Sequence, residues 1–277
     1  MLLSVGCPKP HKSHAGIRVV SLVPSVTEII FRVGASSALV GNTTFCNYPE
    51  SARYVYKVGD FLNPDIERIA QLKPDIVFLT MPTHRLIAEK LSEMGIRYYT
   101  SQPATVEDVF REIDSVGQLL AAGTRAKSLV DSLRVRLDSL PVFPDTPTVY
   151  VEISDSPLMA AGPLSFVSSL IVEAGGRNIC RGAQEYPVVD PEYVVKAGPD
   201  VILALYPGVS PAKFAERLGW DRVPAVRNNR IYTGLDLDLL SRPGPRVVEA
   251  IVTLSHLIHP ELQEPPLRRP PPSGERR

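Results

Sequence analysis

The chain has 277 residues, 44% of them apolar and 22% charged, with Lys+Arg and Asp+Glu balanced at 30 each. This length suits two domains of moderate size, and the apolar share is enough for packed cores. The balanced charge excludes the basic stripe that general nucleic-acid binding requires, and no apolar run is long enough to cross a bilayer.

Met1 to Cys7 reads like the end of a lipoprotein signal, with small residues before a Cys that would carry the lipid. The basic leader and most of the apolar region of such a signal are not in this stretch. Two readings stay open: the signal extends upstream of Met1, or residues 1–16 are an ordinary start and a polar tether. At the other end, residues 263–277 are rich in Pro and Arg and are expected to be disordered, because they cannot bury enough apolar surface to fold.

Arg18 to Val23 is a Val-rich run that predicts a buried strand. Ser25 with Glu28 forms a capping-box pattern for a helix that Gly34 stops. Leu39 to Phe45 reads as the next strand. Asp65 to Leu72 predicts a short helix, Asp75 to Leu79 a strand, Thr83 to Met94 a helix and Ile96 to Tyr99 a strand. Alternating strands and helices over residues 17–104 predict a parallel sheet covered on both faces. Helical periodicity fills 105–140, with a break at Gly123-Thr124, and Pro141, Pro144 and Pro147 mark a boundary. A second α/β lobe is expected over 146–262, opening with a strand at Val149 to Ile153 and a helix from Ser165 to Ala174.

One internal repeat links the two lobes. Glu67 precedes Pro74-Asp75 by seven residues, Glu192 precedes Pro199-Asp200 by the same spacing, and an apolar strand follows each. The upstream Pro64 and Pro191 are offset by two positions. The economical explanation is that both lobes contain the same helix, Pro-Asp, strand device.

Signatures of catalysis are missing: there is no GxxxxGK loop, no GxGxxG after a strand and no GxSxG elbow. His256 and His259 share a helix end, where a His complements the dipole, and no metal site is expected from the five histidines. Cys46 and Cys180 either bond to each other or stand as two small core residues. Ligands of open α/β sheets sit beyond the carboxyl ends of the strands. That places Phe45 to Pro49, Phe61, Thr80 to His84, Ser154 to Leu158, Tyr186 and Asp236 to Arg242 among the candidates.

Several stretches together resemble the cobalamin-binding proteins of ABC importers. They are Arg18 to Glu28, Val40-Gly41 leading to Cys46-Asn47-Tyr48-Pro49, the two Glu-to-Pro-Asp segments, and Trp220 with Val223 to Val226 and Arg230 to Tyr232. The resemblance spans about residues 17 to 260 and is specific for the wider group that binds cobalamin, haem and ferric siderophores. It implies an α/β fold of two doubly wound parallel-sheet lobes joined by a single long helix, holding a ligand between them and doing no chemistry on it. It further implies a monomer outside the cytoplasmic membrane, periplasmic or anchored through Cys7, that delivers its ligand to a permease; the alternative of a different class is a cytoplasmic cobalamin-handling protein or enzyme on the same scaffold. Glu67 and Glu192 match the docking glutamates. The ligand-binding set carried over or placed beside the strand ends is Phe45, Asn47, Tyr48, Phe61, Thr80, Tyr186 and Asp238, with no resident cofactor. Thr80 stands where better-known members carry one of several cleft tryptophans, and the single tryptophan here, Trp220, is expected in a structural turn instead. For haem, Tyr48, His84 or Tyr186 is the candidate axial ligand.

Overall fold

The computed structural model describes residues 16–143 and 145–263. The expectations for Cys7 and for the Pro-rich tail beyond residue 263 fall outside the described residues. Contacts divide the chain into two compact units, the first ending at Ser101 and regaining Gln118–Ala122, the second holding Gln102–Gly117 and continuing from Gly123.

In the first unit the elements are β1 (Val19–Ser21), α1 (Pro24–Arg32), β2 (Leu39–Asn42), α2 (Ile66–Gln71), β3 (Ile76–Leu79), α3 (Arg85–Glu93) and β4 (Tyr98–Thr100). The sheet order is β2-β1-β3-β4, every pair parallel. All four residues of β3 are buried, as a strand covered on both faces requires. Val20, Leu22, Val58, Ile69, Val77, Leu79, Ala88 and Leu91 form one core cluster.

The capping box at Ser25 and Glu28 does not form. α1 starts one residue earlier, at Pro24, and its N-cap Val23 offers no side-chain hydrogen bond. Proline suits the first helical position because its fixed φ is already helical and it has no N–H to orphan. Ser25 and Glu28 are instead buried.

The second unit contains α4 (Val106–Leu119), α5 (Gly123–Asp138), β5 (Thr148–Asp155), β6 (Leu158–Ala160), α6 (Phe166–Glu173), β7 (Arg177–Asn178), α7 (Pro191–Ala197), β8 (Val201–Ala204), α8 (Ala212–Ala215), α9 (Pro224–Arg227), β9 (Ile231–Tyr232), α10 (Leu237–Ser241) and α11 (Val247–Ile258). The break between α4 and α5 falls at Ala121, whose φ of 54° takes the left-handed conformation that ends a helix. β5 is central. β8 lies along one side of β5 with β9 beyond it, and β7 and β6 divide the other side, because Val149 pairs with both Asn178 and Val201 while Glu152 pairs with both Ala160 and Ala204. β6 is antiparallel to β5, so the stretch from Ser154 to Leu158 is two strand ends joined by a tight hairpin turn at Ser156-Pro157 and not a strand-to-helix loop. A tight turn suffices for an antiparallel neighbour, whereas a parallel one needs a crossover.

Trp220 is fully buried in the second core, edge-on to Tyr150 with ring centroids 6.0 Å apart. Cys46 and Cys180 are free thiols, each buried in its own unit, which decides between the two readings of that pair. Burial pushes the Cys180 thiol up to about 11.

The internal repeat is a repeated structural device. Asp65 caps α2 by accepting from the N–H groups of Glu67 and Arg68, and Asp190 caps α7 by accepting from Glu192 N–H. Glu67 and Glu192 therefore occupy the same second helical position, and the proline offset has a plain origin: Pro64 precedes the cap of α2, whereas Pro191 is the first helical residue of α7. The Pro-Asp that follows is equally conserved in role. Asp75 accepts from Arg18 N–H at 2.8 Å and its own N–H donates to Arg18 O at 2.7 Å. Asp200 accepts from Thr148 N–H at 2.8 Å and donates to Thr148 O at 2.9 Å. Each aspartate thus pins the entry of its own strand, β3 or β8, to the entry of the strand that opens the unit.

Candidate functional site

The chain after β2 builds the first group of candidates. β2 stops at Asn42, not at Phe45, because Asn42 turns to a different partner: it donates its N–H to Tyr56 O at 2.9 Å and accepts from Val58 N–H at 2.9 Å. Cys46 N–H then closes a turn onto Thr43 O at 3.1 Å. The Cys46 sulfur points inward, accepting from Thr27 Oγ1 at 3.2 Å. That anchors one end of the turn and leaves Phe45 at its tip, 52% exposed. Asn47 is half-buried and Tyr48 is 42% exposed.

Lys57 holds the loop from the far side. Its ammonium donates to Asn42 Oδ1 at 2.7 Å, Ala52 O at 3.0 Å, Thr43 O at 3.2 Å and Cys46 O at 3.4 Å. Sequence reasoning missed Lys57 and its neighbour Arg53. The chain offers two basic residues after the loop, and nothing in their spacing says that both turn back to it.

Phe61 lies 6.3 Å from Phe45 between ring centroids and 5.0 Å edge-on from His84. The two phenylalanines and the histidine form one aromatic run at the carboxyl end of the sheet. His84 is buried, and both of its nitrogens are engaged: Nδ1 accepts from Thr80 N–H at 3.1 Å, so Nε2 carries the proton and donates to Phe61 O at 2.6 Å. Desolvation lowers its pKa. His84 is therefore a structural clamp joining the loops of Phe61 and Thr80, which removes it from the axial-ligand candidates. Thr80 is half-buried and is positioned by the same clamp.

In the second unit Tyr186 is 46% exposed. Its segment runs beside β6 through Gly162 N–H to Glu185 O at 2.6 Å, Ala160 N–H to Pro187 O at 3.0 Å and Val189 N–H to Leu158 O at 2.9 Å. A Cβ at Gly162 would lie 2.0 Å from Gln184 O, so only glycine permits this approach. Burial and the charge of Glu185 raise the Tyr186 phenol above its ordinary range. Asp238 sits in the first turn of α10, where Asp236 caps Leu239 N–H, and pairs with Arg242 at 2.7 Å. Arg242 is nearly buried, so the partly exposed Asp238 carboxylate is held in one orientation.

Beneath the carboxyl ends of β5 and β8 lies a charged network absent from the sequence reading. Glu152, fully buried in β5, accepts from Arg217 at 2.6 and 2.7 Å and from the Tyr206 hydroxyl at 2.5 Å. Arg217 also lies over the rings of Phe214 and Trp220, 4.5 and 4.6 Å from their centroids.

Glu67 and Glu192 are both exposed, in the first turns of their helices. A third grouping was not expected: Asp145 and Glu261 converge on His259 Nδ1 at 3.4 and 3.3 Å. The imidazole stacks on Phe143 and its other nitrogen meets Gly175 O at 3.3 Å. With partners at both nitrogens, His259 ties the end of α11 to the turn after α6, and the arrangement needs no ion.

A sequence profile described as "Periplasmic binding protein" matches residues 19–236. The ABC transporter substrate-binding lipoprotein YvrC of Bacillus subtilis is 30% identical over 255 residues, covering 88% of this chain and 80% of that protein. The vitamin B12-binding protein of Vibrio vulnificus is 28% identical over 249 residues, covering 84% of this chain and 87% of its own. Among solved structures, the periplasmic heme-binding protein RhuT from Roseiflexus superposes with a TM-score of 0.77 at 26% identity, covering 90% of this chain and 100% of that one.

Proposed function

The chain belongs to the periplasmic binding protein family, and from that membership we propose that it captures a corrinoid outside the cytoplasmic membrane and delivers it to the permease of an ABC importer. The ligand is cargo, neither cofactor nor substrate of a reaction. The observation that carries the corrinoid reading is the pair of rings, exposed Phe45 and half-buried Phe61, at the carboxyl end of the first sheet. Flat rings at such an edge bury the apolar flank of a macrocycle with little loss of side-chain entropy. Similarity to a vitamin B12-binding protein over most of both chains supports the same reading. Asn47, Tyr48 and Thr80 complete the first unit's contribution, and Tyr186 and Asp238 are the second unit's.

Haem is the second reading. It is favoured by the exposed phenols of Tyr48 and Tyr186 and by the likeness to RhuT. The raised pKa of Tyr186 works against it there, because a ferric iron takes the phenolate. A ferric siderophore is a further candidate of the same class. The deciding experiment is co-elution of the purified protein with cobalamin, haemin and ferric siderophores, followed by visible absorbance. Retention of cobalamin supports the proposal, and retention of haemin or a siderophore alone overturns the corrinoid assignment.

Delivery is proposed to use Glu67 and Glu192. Their identical helical positions support a matched pair of docking charges, which chiefly supply register and association rate. Reversing both charges should weaken permease association and leave ligand affinity unchanged. A loss of ligand affinity would place them in the binding site instead. Attachment through Cys7 belongs to the same proposal and is supported by the lipoprotein relative.

A further inference from the structure

The loop that presents Phe45 also borders an open pocket of about 330 Å³, lined by Thr44, Asn47, Arg53 and Lys57. Two of these four side chains are cations and none is acidic. Lys57 donates to four neutral oxygens, those of Asn42 Oδ1, Thr43, Cys46 and Ala52. Arg53 donates from Nε to Asn47 O at 3.3 Å. Among the described residues neither cation forms an ion pair with a carboxylate, although the chain as a whole carries as many acids as bases. Carbonyl oxygens orient the Lys57 charge without cancelling it, and partial burial leaves that charge poorly hydrated, which shows as a lowered pKa.

A purely structural role accounts for half of this. Lys57 staples the carbonyls of the loop, and any lysine so placed would be retained for that. Arg53 also holds a loop carbonyl, Asn47 O, but through Nε alone, which does not require a second cation to face the same pocket. Two like charges on one small pocket repel, and that repulsion is relieved by an anion between them. The hydroxyl of Thr44 and the amide of Asn47 add neutral hydrogen-bonding groups to the same walls. A guanidinium and an ammonium together suit an oxyanion, the first as a planar fork and the second as a point charge.

We propose that this pocket receives an anionic oxygen group carried at the edge of the captured macrocycle, a phosphodiester or a carboxylate. The inference rests on the macrocycle reading above and refines it, since it assigns the loop two functions: the tip ring takes the apolar face and the cation pair takes the charged appendage. It predicts that the protein distinguishes complete corrinoids, which carry a phosphodiester, from those that lack it.

The test is a set of titrations followed by absorbance or calorimetry. Cobalamin is compared with cobinamide, which has no phosphodiester, and haemin with its dimethyl ester, which has no free carboxylates. Wild-type protein, Arg53→Gln and Lys57→Met are each used. The expected result is that the anionic member of whichever pair binds is held about tenfold tighter, as one or two charge-assisted hydrogen bonds would give. Added salt should narrow the gap. Arg53→Gln should remove most of the discrimination while sparing the neutral ligand. Lys57→Met is expected to lose more, because it also loosens the loop, so Arg53→Gln decides. Equal affinity for both members of a pair, or discrimination that survives Arg53→Gln, overturns the pocket assignment and leaves the capture function standing. If no macrocycle binds, the pocket assignment and the functional reading fall together.

Discussion

Removing Arg217 should be among the most damaging single changes in the second unit. Glu152 is fully buried, and Arg217 supplies two of its three hydrogen bonds, at 2.6 and 2.7 Å. In Arg217→Met the carboxylate keeps only the Tyr206 hydroxyl, and the stacking on Phe214 and Trp220 loses its cation. An uncompensated buried charge of this kind costs about 3–5 kcal/mol. For a unit of this size each kcal/mol moves the melting temperature by about 2–4 °C, so a fall of roughly 6–20 °C is expected. Tyr206→Phe removes one hydrogen bond to a charged group and should cost less, about 1.5–3 kcal/mol. The informative variant is the double replacement Glu152→Leu with Arg217→Met, which deletes both charges and should recover most of the loss. Chemical denaturation monitored by circular dichroism measures all four proteins. A loss below about 1 kcal/mol in Arg217→Met, or a double variant no better than the single, would refute the view that Glu152 is a buried charge needing that partner.

The repeated strand pin predicts that Asp200→Ala costs about 1–3 kcal/mol by orphaning the partly buried Thr148 N–H, and that Asp75→Ala costs less because the exposed Arg18 N–H can turn to water, with both losses measurable in urea. Asp200→Ala should be the worse of the two, because Thr148 Oγ1 loses its partner as well. Gly162→Ala should push Gln184 and the Tyr186 segment away from β6, weakening ligand binding by more than it lowers the melting temperature; unchanged affinity would separate Tyr186 from the ligand. His84 is neutral in the fold with its pKa held below 6.5. The unfolded chain therefore binds the extra proton as pH falls through 6.5, and folding stability declines there by up to about 1.4 kcal/mol per pH unit. In His84→Gln that part of the acid sensitivity should be gone, and an unchanged profile would exclude His84 as its source.

Strands were legible wherever both faces are covered, because continuous apolar runs are then obligatory: Ile76–Leu79 and Val201–Ala204 fall where the sequence marks them. The spacing from Glu to Pro-Asp was legible, but what the aspartates do was not, since Asp75 and Asp200 reach partners 57 and 52 residues away. β6 escaped because Leu158–Ala160 is too short to show a period, and the false capping box at Ser25 arose because Pro24 claims the helix start. Exposure of Phe45 follows from the turn that precedes Asn47-Tyr48-Pro49, a local feature that the sequence displays. The loss of His84 as an axial ligand depends on Phe61 O, 23 residues distant, and the Glu152 to Arg217 pair spans 65 residues. Long-range polar partners leave no periodicity to read.

The return of Gln118–Ala122 to the first unit has a consequence for taking the protein apart. A cut after Ser101 leaves the amino-terminal piece without those five residues, buried Leu120 among them, while a cut after Ala122 carries α4 away from the unit to which it belongs. No single scission yields both units whole. During synthesis the first unit is likewise complete only when all of α4 has emerged from the ribosome, which ties the maturation of one half of the chain to the appearance of the other.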